Sequence, residues 1–336
     1  MIYTYKKYDT SLYLDTQYGC GLGEPEVLCK DQCIEFIEHM GLFKFKGYLY
    51  AFKNELSSRG IEDILMLYGF DRFLSKYLMD LSLKVEAGVK TALVESAYAL
   101  TENPFFYLDT ASYNETFFLN AQEERDWTPS PHPSPRRELY KHYRDYYLDK
   151  YDFSDNRNEY LSGRTLITSS TDANFPPFHY FIESATLGTV IKMIRKMEIR
   201  GEELLVKVAL NYRIQPGIFP AYLQRLNELR NRCAHNGRLF NRNYRSVKAF
   251  RTHKQFRRFM HEHRIIDVIV TMFYLLGRLN GYSDFSSFEN DVLETLMEDF
   301  KNDSECSQYM NGLTTVYDEQ KFESLKRFIF EGMGKK

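Results

Sequence analysis

The sequence predicts a mainly α-helical protein, and three observations support this fold class. Apolar residues recur every three or four positions through most of the chain, which is the spacing of one helix face. Few segments show the two-residue alternation that a half-buried β-strand requires. The 336 residues include 43% hydrophobic and 27% charged residues, a composition typical of a globular protein with a substantial core.

The first half of the chain contains the longest predicted helix. A first helix is predicted over residues 30–40, where an apolar stripe ends at Gly41, and a short helical segment follows over residues 45–52. The long helix is predicted from Asp71, interpreted as its N-cap, to about Leu100. Apolar residues recur along its whole length at helical spacing, so we expect it to be the scaffold of the fold.

The sequence changes character between residues 123 and 158. Prolines alternate with serine and histidine at its start, so neither a helix nor a central strand can persist, and an exposed loop is predicted. A Tyr- and Arg-rich stretch follows over residues 140–147. This stretch could contact RNA by stacking on bases and binding phosphates, or its tyrosines could pack on the main body. Packing is the favoured interpretation.

Helical spacing returns in the second half of the chain. Helices are predicted near residue 181 and over residues 189–194, 202–212, 221–236 and 267–279. Pro220 suits the first turn of the helix over 221–236, and Gly237 is expected to end that helix.

These elements suggest three regions. An N-terminal arm occupies residues 1–29, a helical domain occupies residues 30–280 with the loop insertion at about 123–158, and a helical tail occupies residues 281–336. The tail is acidic, since residues 284–305 carry eight acidic side chains against the single Lys301.

The composition also limits location and cofactors. The N-terminus lacks the apolar stretch of a secretory signal and no run is long enough to span a membrane, so a cytoplasmic protein without membrane contact is expected. Five cysteines without an export signal make a disulfide framework improbable. Cys29 and Cys33 have the spacing of half a metal site, but no second pair with ligand spacing lies nearby. We therefore expect neither a metal nor a cofactor.

The strongest chemical signal is the hexapeptide from Arg230 to His235, read Arg-Asn-Arg-Cys-Ala-His. It lies in the most basic part of a chain whose net charge is −2. Residues 225–264 hold twelve Lys or Arg and two acidic residues, a local balance of 12 − 2 = +10. Such a patch favours RNA phosphates, although charge runs are often only solvated surfaces. The candidate RNA-binding residues are Arg225, Arg232, Arg238, Arg242, Arg245 and Lys248.

The residue types of this motif suit RNA cleavage without a metal. On a helix Asn231 and His235 share a face, and Arg230 can reach the same cleft. A histidine can take a proton from a ribose 2′-hydroxyl or give one to the leaving oxygen, while arginine stabilises charge on the phosphate. Asn231 could orient the imidazole or a phosphate oxygen. One histidine supplies only one proton-transfer group, so a homodimer that pairs two motifs is expected.

The motif and several segments before it resemble the sequences of a known family. The segment over residues 226–242 resembles the Arg-Asn-x-x-x-His region of ribonucleases of the HEPN superfamily, specifically the Abi-like proteins of bacterial abortive infection. The upstream segments that resemble this family are 47–52, 67–74, 84–90, 103–108 and 183–189. The resemblance therefore covers most of the chain from about residue 30 to residue 280.

The resemblance implies both a fold and a function. The fold would be a HEPN-type helical bundle with additional helices and a Pro-rich loop insertion, and the activity a metal-independent endoribonuclease toxin of phage defence. The products would be a 2′,3′-cyclic phosphate and a 5′-hydroxyl end. Arg230, Asn231 and His235 would be the catalytic residues, with Glu86 as a possible supporting residue, unless Glu86 only pairs with Lys90 on its helix. A structured noncoding RNA could be a second RNA partner, and no DNA partner is expected.

Two other functions remain open from the residues alone. The chain could be a non-cleaving RNA-binding protein that holds a structured noncoding RNA, since the basic patch serves binding as well as cleavage. A nucleotide-transfer toxin is the weakest alternative, because no Gly-Ser pair followed by spaced carboxylates is found.

Overall fold

The computed structural model describes residues 9–52, 57, 59–114, 154–166, 175–240, 242, 244, 265–276 and 278. This part of the chain is mainly helical, which confirms the predicted fold class. Its α-helices are α1 Thr10–Gly19, α2 Lys30–Met40, α3 Leu42–Leu49, α4 Ile61–Tyr98, α5 Ser154–Leu161, α6 Phe178–Ser184, α7 Leu187–Lys196, α8 Leu204–Asn211, α9 Phe219–Ala234 and α10 Ile265–Leu276. Strands β1 Glu198–Ile199 and β2 Glu202–Glu203 pair antiparallel, with Glu198 opposite Glu203.

Helix α4 is the centre of the fold. It packs against α3, α6, α7, α8, α9 and α10, and its apolar stripe is buried from Leu74 to Ala97 as the spacing predicts. The largest contact is with α9, the helix that carries the motif. Because α4 spans 38 residues, it can hold the motif at one point and the N-terminal helices at another.

The predicted start of α4 at Asp71 is wrong. The helix begins ten residues earlier, at Ile61, after Gly60, whose backbone N–H donates to Asp63 Oδ2 at 2.8 Å. Glu62 and Asp63 lie in the first turn, where carboxylates favour the partial positive charge of a helix N-terminus. Asp71 is instead fully buried inside the helix. The apolar residues at 61, 64, 65 and 67 have helical spacing, which indicated the earlier start. Gly69, a residue that often ends helices, made the segment before Asp71 look separate, but the helix continues through it.

The N-terminal helices form a layer against α4. Helix α2 has the predicted bounds and ends at Gly41, whose φ of 94° suits glycine. The predicted helical segment over 45–52 is observed as α3 followed by a 3₁₀ turn at Tyr50–Phe52. Helix α1 lies inside the predicted arm; it packs on α2 and buries Leu14 completely. Two residues of this segment, Leu14 and Leu22, therefore contribute to the hydrophobic core.

Other boundaries also differ from the prediction. Helix α5 starts at Ser154, so the last five residues of the predicted loop are helical. Residues 202–203 form β2, and α8 begins only at Leu204. The prolines of the insertion, its Tyr- and Arg-rich stretch and the acidic tail lie outside the described residues.

Candidate functional site at the C-terminal end of α9

Helix α9 presents the motif at its C-terminal end. It starts at Phe219, two residues before the prediction, with Pro220 in its first turn. Its buried face includes Tyr222, Leu226 and Leu229, which pack toward α4, α7 and α10. Because this face is fixed in the core, the residues that follow Leu229 emerge at a defined place beside α4.

Helix α9 ends two residues earlier than predicted, because a Schellman turn closes it. His235 is the C-cap, and Asn236 adopts the left-handed conformation with a φ of 53°. The N–H groups of Asn236 and Gly237 donate to the carbonyls of Cys233 and Arg232, at 3.1 and 2.8 Å. A Cβ on Gly237 would lie 3.3 Å from the Arg232 carbonyl oxygen. Gly237 therefore fits this turn because the two backbone segments approach closely.

The structure places Arg230 and Asn231 in contact with each other and with Glu86 of α4. Arg230 Nε lies 3.4 Å from Glu86 Oε2, and Lys90 Nζ lies 3.0 Å from Glu86 Oε1. Arg230 Nη1 also donates to Asn231 Oδ1 at 3.4 Å. The Glu86–Lys90 pair expected on one helix is thus present, and Arg230 joins it. Asn231 contacts the guanidinium and not the imidazole.

Glu86 is buried, whereas the two cations that face it are partly exposed. Its residue is 6% exposed, and the side chains of Lys90 and Arg230 are 18% and 29% exposed. Neither Glu86 Oε2 nor Arg230 Nε has a hydrogen-bond partner within the described part of the chain, so their 3.4 Å contact is ionic and poorly aligned. Two cations share one carboxylate in this cluster.

His235 is the C-cap of α9, four residues after Asn231. Its residue is exposed, and its backbone N–H still donates to the Asn231 carbonyl at 3.0 Å. Among the described residues none hydrogen-bonds to its imidazole ring. The backbone at the end of α9 therefore sets only where this side chain leaves the helix.

An open groove runs along α4 from Glu86 toward α6. Its volume is about 660 Å³, and its walls include Lys90, Val94 and His179. Lys90 Nζ donates to the Glu183 carbonyl at 3.1 Å, and the His179 ring lies 2.9 Å from the Tyr98 hydroxyl, Nδ1 to Oη. Glu86 and Lys90 thus line this groove together with two further acids, Glu95 and Glu183, whereas Arg230 is not one of its lining residues.

The predicted RNA-binding residues fall into different environments. Arg225 is only 4% exposed, so it lies inside the protein and not on an open surface. Arg232 pairs with Glu228 at 2.8 Å and stacks over the Tyr244 ring at 5.2 Å. Arg238 stacks over Tyr48, and burial lowers the pKa of its guanidinium, as does nearby Arg242. Arg242 is exposed, whereas Arg245 and Lys248 lie outside the described residues.

Asp71 is a site residue that sequence reasoning missed, because it was assigned to a helix cap. Its carboxylate accepts from the Tyr48 hydroxyl at 2.6 Å and from the Phe240 N–H at 2.9 Å. Burial raises the pKa of Asp71, while these hydrogen bonds and the Arg72 guanidinium oppose the shift. The sequence signal that could have identified Asp71 was its position within a segment that resembles the family. Its role could not be predicted, because its hydrogen bond from Phe240 joins residues 169 positions apart.

Cys29 and Cys33, which have the spacing of half a metal site, lie in different environments. Cys29 is exposed at the start of α2, whereas Cys33 is buried, and burial raises the pKa of its thiol. Within the described ranges no group of three or more His, Cys, Asp or Glu residues could hold a metal ion.

The fold and the site define a class of mainly helical proteins in which an Arg-Asn-x-x-x-His motif ends one helix and a buried acid on the central helix faces it. The chain belongs to the Abi-like protein family, whose model matches residues 35–241. This range covers more than half of the chain and includes α4, α9 and His235. No curated protein and no solved structure matches the chain significantly. No helix in the described ranges has the length and apolar character needed to cross a membrane.

Proposed function

We propose that this Abi-like protein is a metal-independent endoribonuclease toxin of a phage-defence system, with a HEPN-type arrangement of its helices. The observation that carries the proposal is the grouping of Arg230, Asn231 and exposed His235 at one helix end, beside a buried carboxylate. Family membership supports a role in abortive infection. The products are a 2′,3′-cyclic phosphate and a 5′-hydroxyl end.

Each motif residue has a role that its surroundings support. His235 reaches solvent, so its imidazole can accept the ribose 2′-hydroxyl proton or protonate the leaving 5′-oxygen. Arg230 offers its guanidinium to the phosphate as negative charge builds in the transition state. Asn231 accepts from Arg230 Nη1 and limits the directions that the guanidinium can take.

Glu86 is a supporting residue because it balances the cations while no RNA is bound. Its pairing with Arg230 is long and misaligned, so the guanidinium can turn to a phosphate oxygen without losing a strong hydrogen bond. Lys90 remains on the other carboxylate oxygen and keeps Glu86 in place. An incoming phosphate then supplies the anion that two cations with one carboxylate lack.

A homodimer completes the site in this proposal. One motif holds one imidazole, whereas transesterification uses both a base and an acid. The motif lies at the exposed end of α9, so a second copy of the chain can bring its own His235 to the same cleft. RNA then approaches over Arg242 and the outer edges of Arg232 and Arg238, with Arg245 and Lys248 as further proposed contacts. Buried Arg225 is not included in this surface.

The test compares wild-type protein with His235→Ala and Arg230→Ala on RNA in the presence of EDTA. We expect cleavage by wild type, a loss of about a hundredfold or more in each variant, and RNA affinity that changes little in His235→Ala. Arg195→Ala removes the same charge from an exposed position on α7 and is the matched control, with wild-type cleavage expected.

The chemistry of the product ends and the RNA affinity distinguish a ribonuclease from a non-cleaving RNA-binding protein. Cyclic phosphate ends on the wild-type products support the proposed chemistry. RNA that binds tightly and is never cut favours the alternative, a non-cleaving protein that holds a structured noncoding RNA. Equal cleavage by wild type and His235→Ala contradicts the ribonuclease proposal. Sedimentation of wild type with and without RNA tests the dimer.

A further inference from the structure

Asp71 joins three segments that are far apart in the chain. Its carboxylate accepts from the Tyr48 hydroxyl of α3 at 2.6 Å, and from the N–H groups of Leu239 and Phe240 at 3.1 and 2.9 Å. Asp71 itself is fully buried in α4. Leu239 and Phe240 follow the motif helix, so this carboxylate holds the chain that leaves α9.

Neighbouring contacts fix the same short segment at further points. Arg72 Nη2 donates to the Gly237 carbonyl at 3.2 Å, and the Tyr244 hydroxyl donates to the Leu239 carbonyl at 3.1 Å. The Gly237 N–H closes the Schellman turn on Arg232. The backbone from residue 237 to residue 240 is therefore held from two sides. It begins two residues after His235.

We propose that Asp71 is a positioning residue for the motif: it anchors Leu239 and Phe240, fixes the chain that leaves α9, and thereby sets the direction of His235 relative to Arg230. This inference rests on the proposed ribonuclease function. His235 is the C-cap of α9, so the backbone there sets the position of its Cβ and the direction in which the side chain leaves the chain. A displacement of this backbone moves the imidazole with it, and proton transfer requires hydrogen-bond distances.

A carboxylate suits this position better than an amide. Its two oxygens accept three hydrogen bonds here, and all three partners are donors. Asparagine has the same volume but only one acceptor oxygen, and its NH₂ group would face a donor. Asp71→Asn therefore keeps the packing of α4 while it releases part of the anchored backbone.

The experiment compares wild type, Asp71→Asn and Leu93→Ala in the full-length protein. Leu93 is fully buried on the same helix and is apolar, so Leu93→Ala lowers stability and leaves the three hydrogen bonds of Asp71 in place. Cleavage, RNA affinity and the NMR resonances of ¹³C-labelled histidine rings are measured below the melting temperatures of all three proteins. His235→Ala assigns the His235 resonance.

Asp71→Asn should lower kcat about tenfold to a hundredfold while Kd for RNA stays within about twofold, as expected for a misplaced catalytic group. Its His235 resonance should shift. Leu93→Ala should keep the wild-type rate and the wild-type resonance. A wild-type rate or an unmoved His235 resonance in Asp71→Asn would show that Asp71 serves folding alone.

Two further results keep the two proposals separate. If wild type cuts no RNA, the ribonuclease proposal fails, and the His235 resonance alone decides whether Asp71 positions the ring. If Asp71→Asn does not fold, amide hydrogen exchange in the wild-type protein takes its place, because the inference requires Asp71 to hold the N–H groups of Leu239 and Phe240. Exchange of these two amides as fast as that of exposed loop amides would then overturn the positioning role.

Discussion

Two buried acids on α4 illustrate different uses of a carboxylate. Asp71 is fully buried and accepts hydrogen bonds from one hydroxyl and two backbone N–H groups, whereas Glu86 is 6% exposed and faces two cationic side chains. They are about 22 Å apart along the helix, at 1.5 Å per residue. Backbone donors cannot move independently of the fold, but lysine and arginine side chains can. Asp71 therefore fixes backbone, whereas in the proposed function Glu86 holds two cations that an RNA phosphate can bind.

The largest expected difference between the two acids is in stability. Asp71→Ala strands three buried donors and should lower the free energy of unfolding by about 3–5 kcal/mol. Glu86→Ala frees two cations that already reach solvent, so its loss should be about 1 kcal/mol. Denaturant unfolding of both variants measures this difference. Equal losses would mean that the two carboxylates have the same structural role.

The second expected effect is on cleavage. Glu86→Gln keeps the shape but removes the charge that faces Arg230, and the rate should fall about tenfold, or about 1.4 kcal/mol of transition-state stabilisation. The melting temperature should stay close to that of wild type. Single-turnover cleavage of a labelled RNA is the measurement.

Lys90→Met is the control for this substitution, because Lys90 contacts the other oxygen of the same carboxylate. Its rate should fall less than that of Glu86→Gln. A larger fall in Lys90→Met would make Lys90, and not the Glu86–Arg230 contact, the more important partner of the motif.

A smaller effect is expected when one donor to Asp71 is removed. Tyr48→Phe deletes the hydroxyl at 2.6 Å and leaves the backbone donors in place, so the stability loss should be about 1 kcal/mol. Thermal unfolding measures it. Tyr107→Phe deletes another buried hydroxyl, which donates to the Pro176 carbonyl at 2.6 Å, and serves as the matched control away from α4. A loss in Tyr48→Phe well above that in Tyr107→Phe would indicate that the carboxylate strengthens the hydrogen bond.

The smallest effects concern pH, and they should differ in sign between two acids of α4. Backbone hydrogen bonds from Leu28 and Val27 lower the pKa of Glu62, so its contribution to stability is present above 4.5, its ordinary value, and is lost as pH falls. Burial raises the pKa of Asp71, so its contribution is full below its ordinary value of 3.8 and is lost as pH rises through the raised pKa.

Unfolding measured from a pH below the ordinary pKa values of both acids up to neutral pH tests this contrast. As pH rises, the stability difference between wild type and Glu62→Gln should grow, and that between wild type and Asp71→Asn should shrink. Parallel changes in the two differences would show that burial does not dominate at Asp71.

Helices could be predicted from the sequence where one face of the helix is apolar and the other is polar. The spacing in α2 and along the apolar stripe of α4 gave these helices because apolar residues on one face must be buried. The start of α4 could not be predicted from Asp71, because the sequence does not distinguish an aspartate that caps a helix from one that is buried inside it. The end of α9 was predicted at Gly237, but the residue in the left-handed conformation is Asn236. Gly237 fits the turn for a different reason, because the Arg232 carbonyl lies close to the position that a side-chain Cβ would take.

The candidate site also has features that local sequence predicts and features that it does not. The motif residues are neighbours in sequence, so their grouping on one helix end was predictable from helical spacing. The segments that resemble the Abi-like family meet only in the fold: Gly47 packs on Arg238, Gly188 approaches Asn227, and Asp71 binds the backbone after the motif. Arg225 belongs to the basic run but is buried, because helical phase turns it inward.

By itself the sequence determined a mainly helical chain, a long scaffold helix, a motif at a helix end and membership of the Abi-like family. Local spacing and residue type are enough for the helices and the motif, because each depends on a few neighbouring residues, whereas the family follows from segments spread over residues 35–241. Only the tertiary structure decided that Glu86 faces Arg230 and that Asp71 anchors the chain beyond His235. Those contacts join residues 144 and more than 160 positions apart, and no local pattern specifies which distant partner satisfies a buried charge.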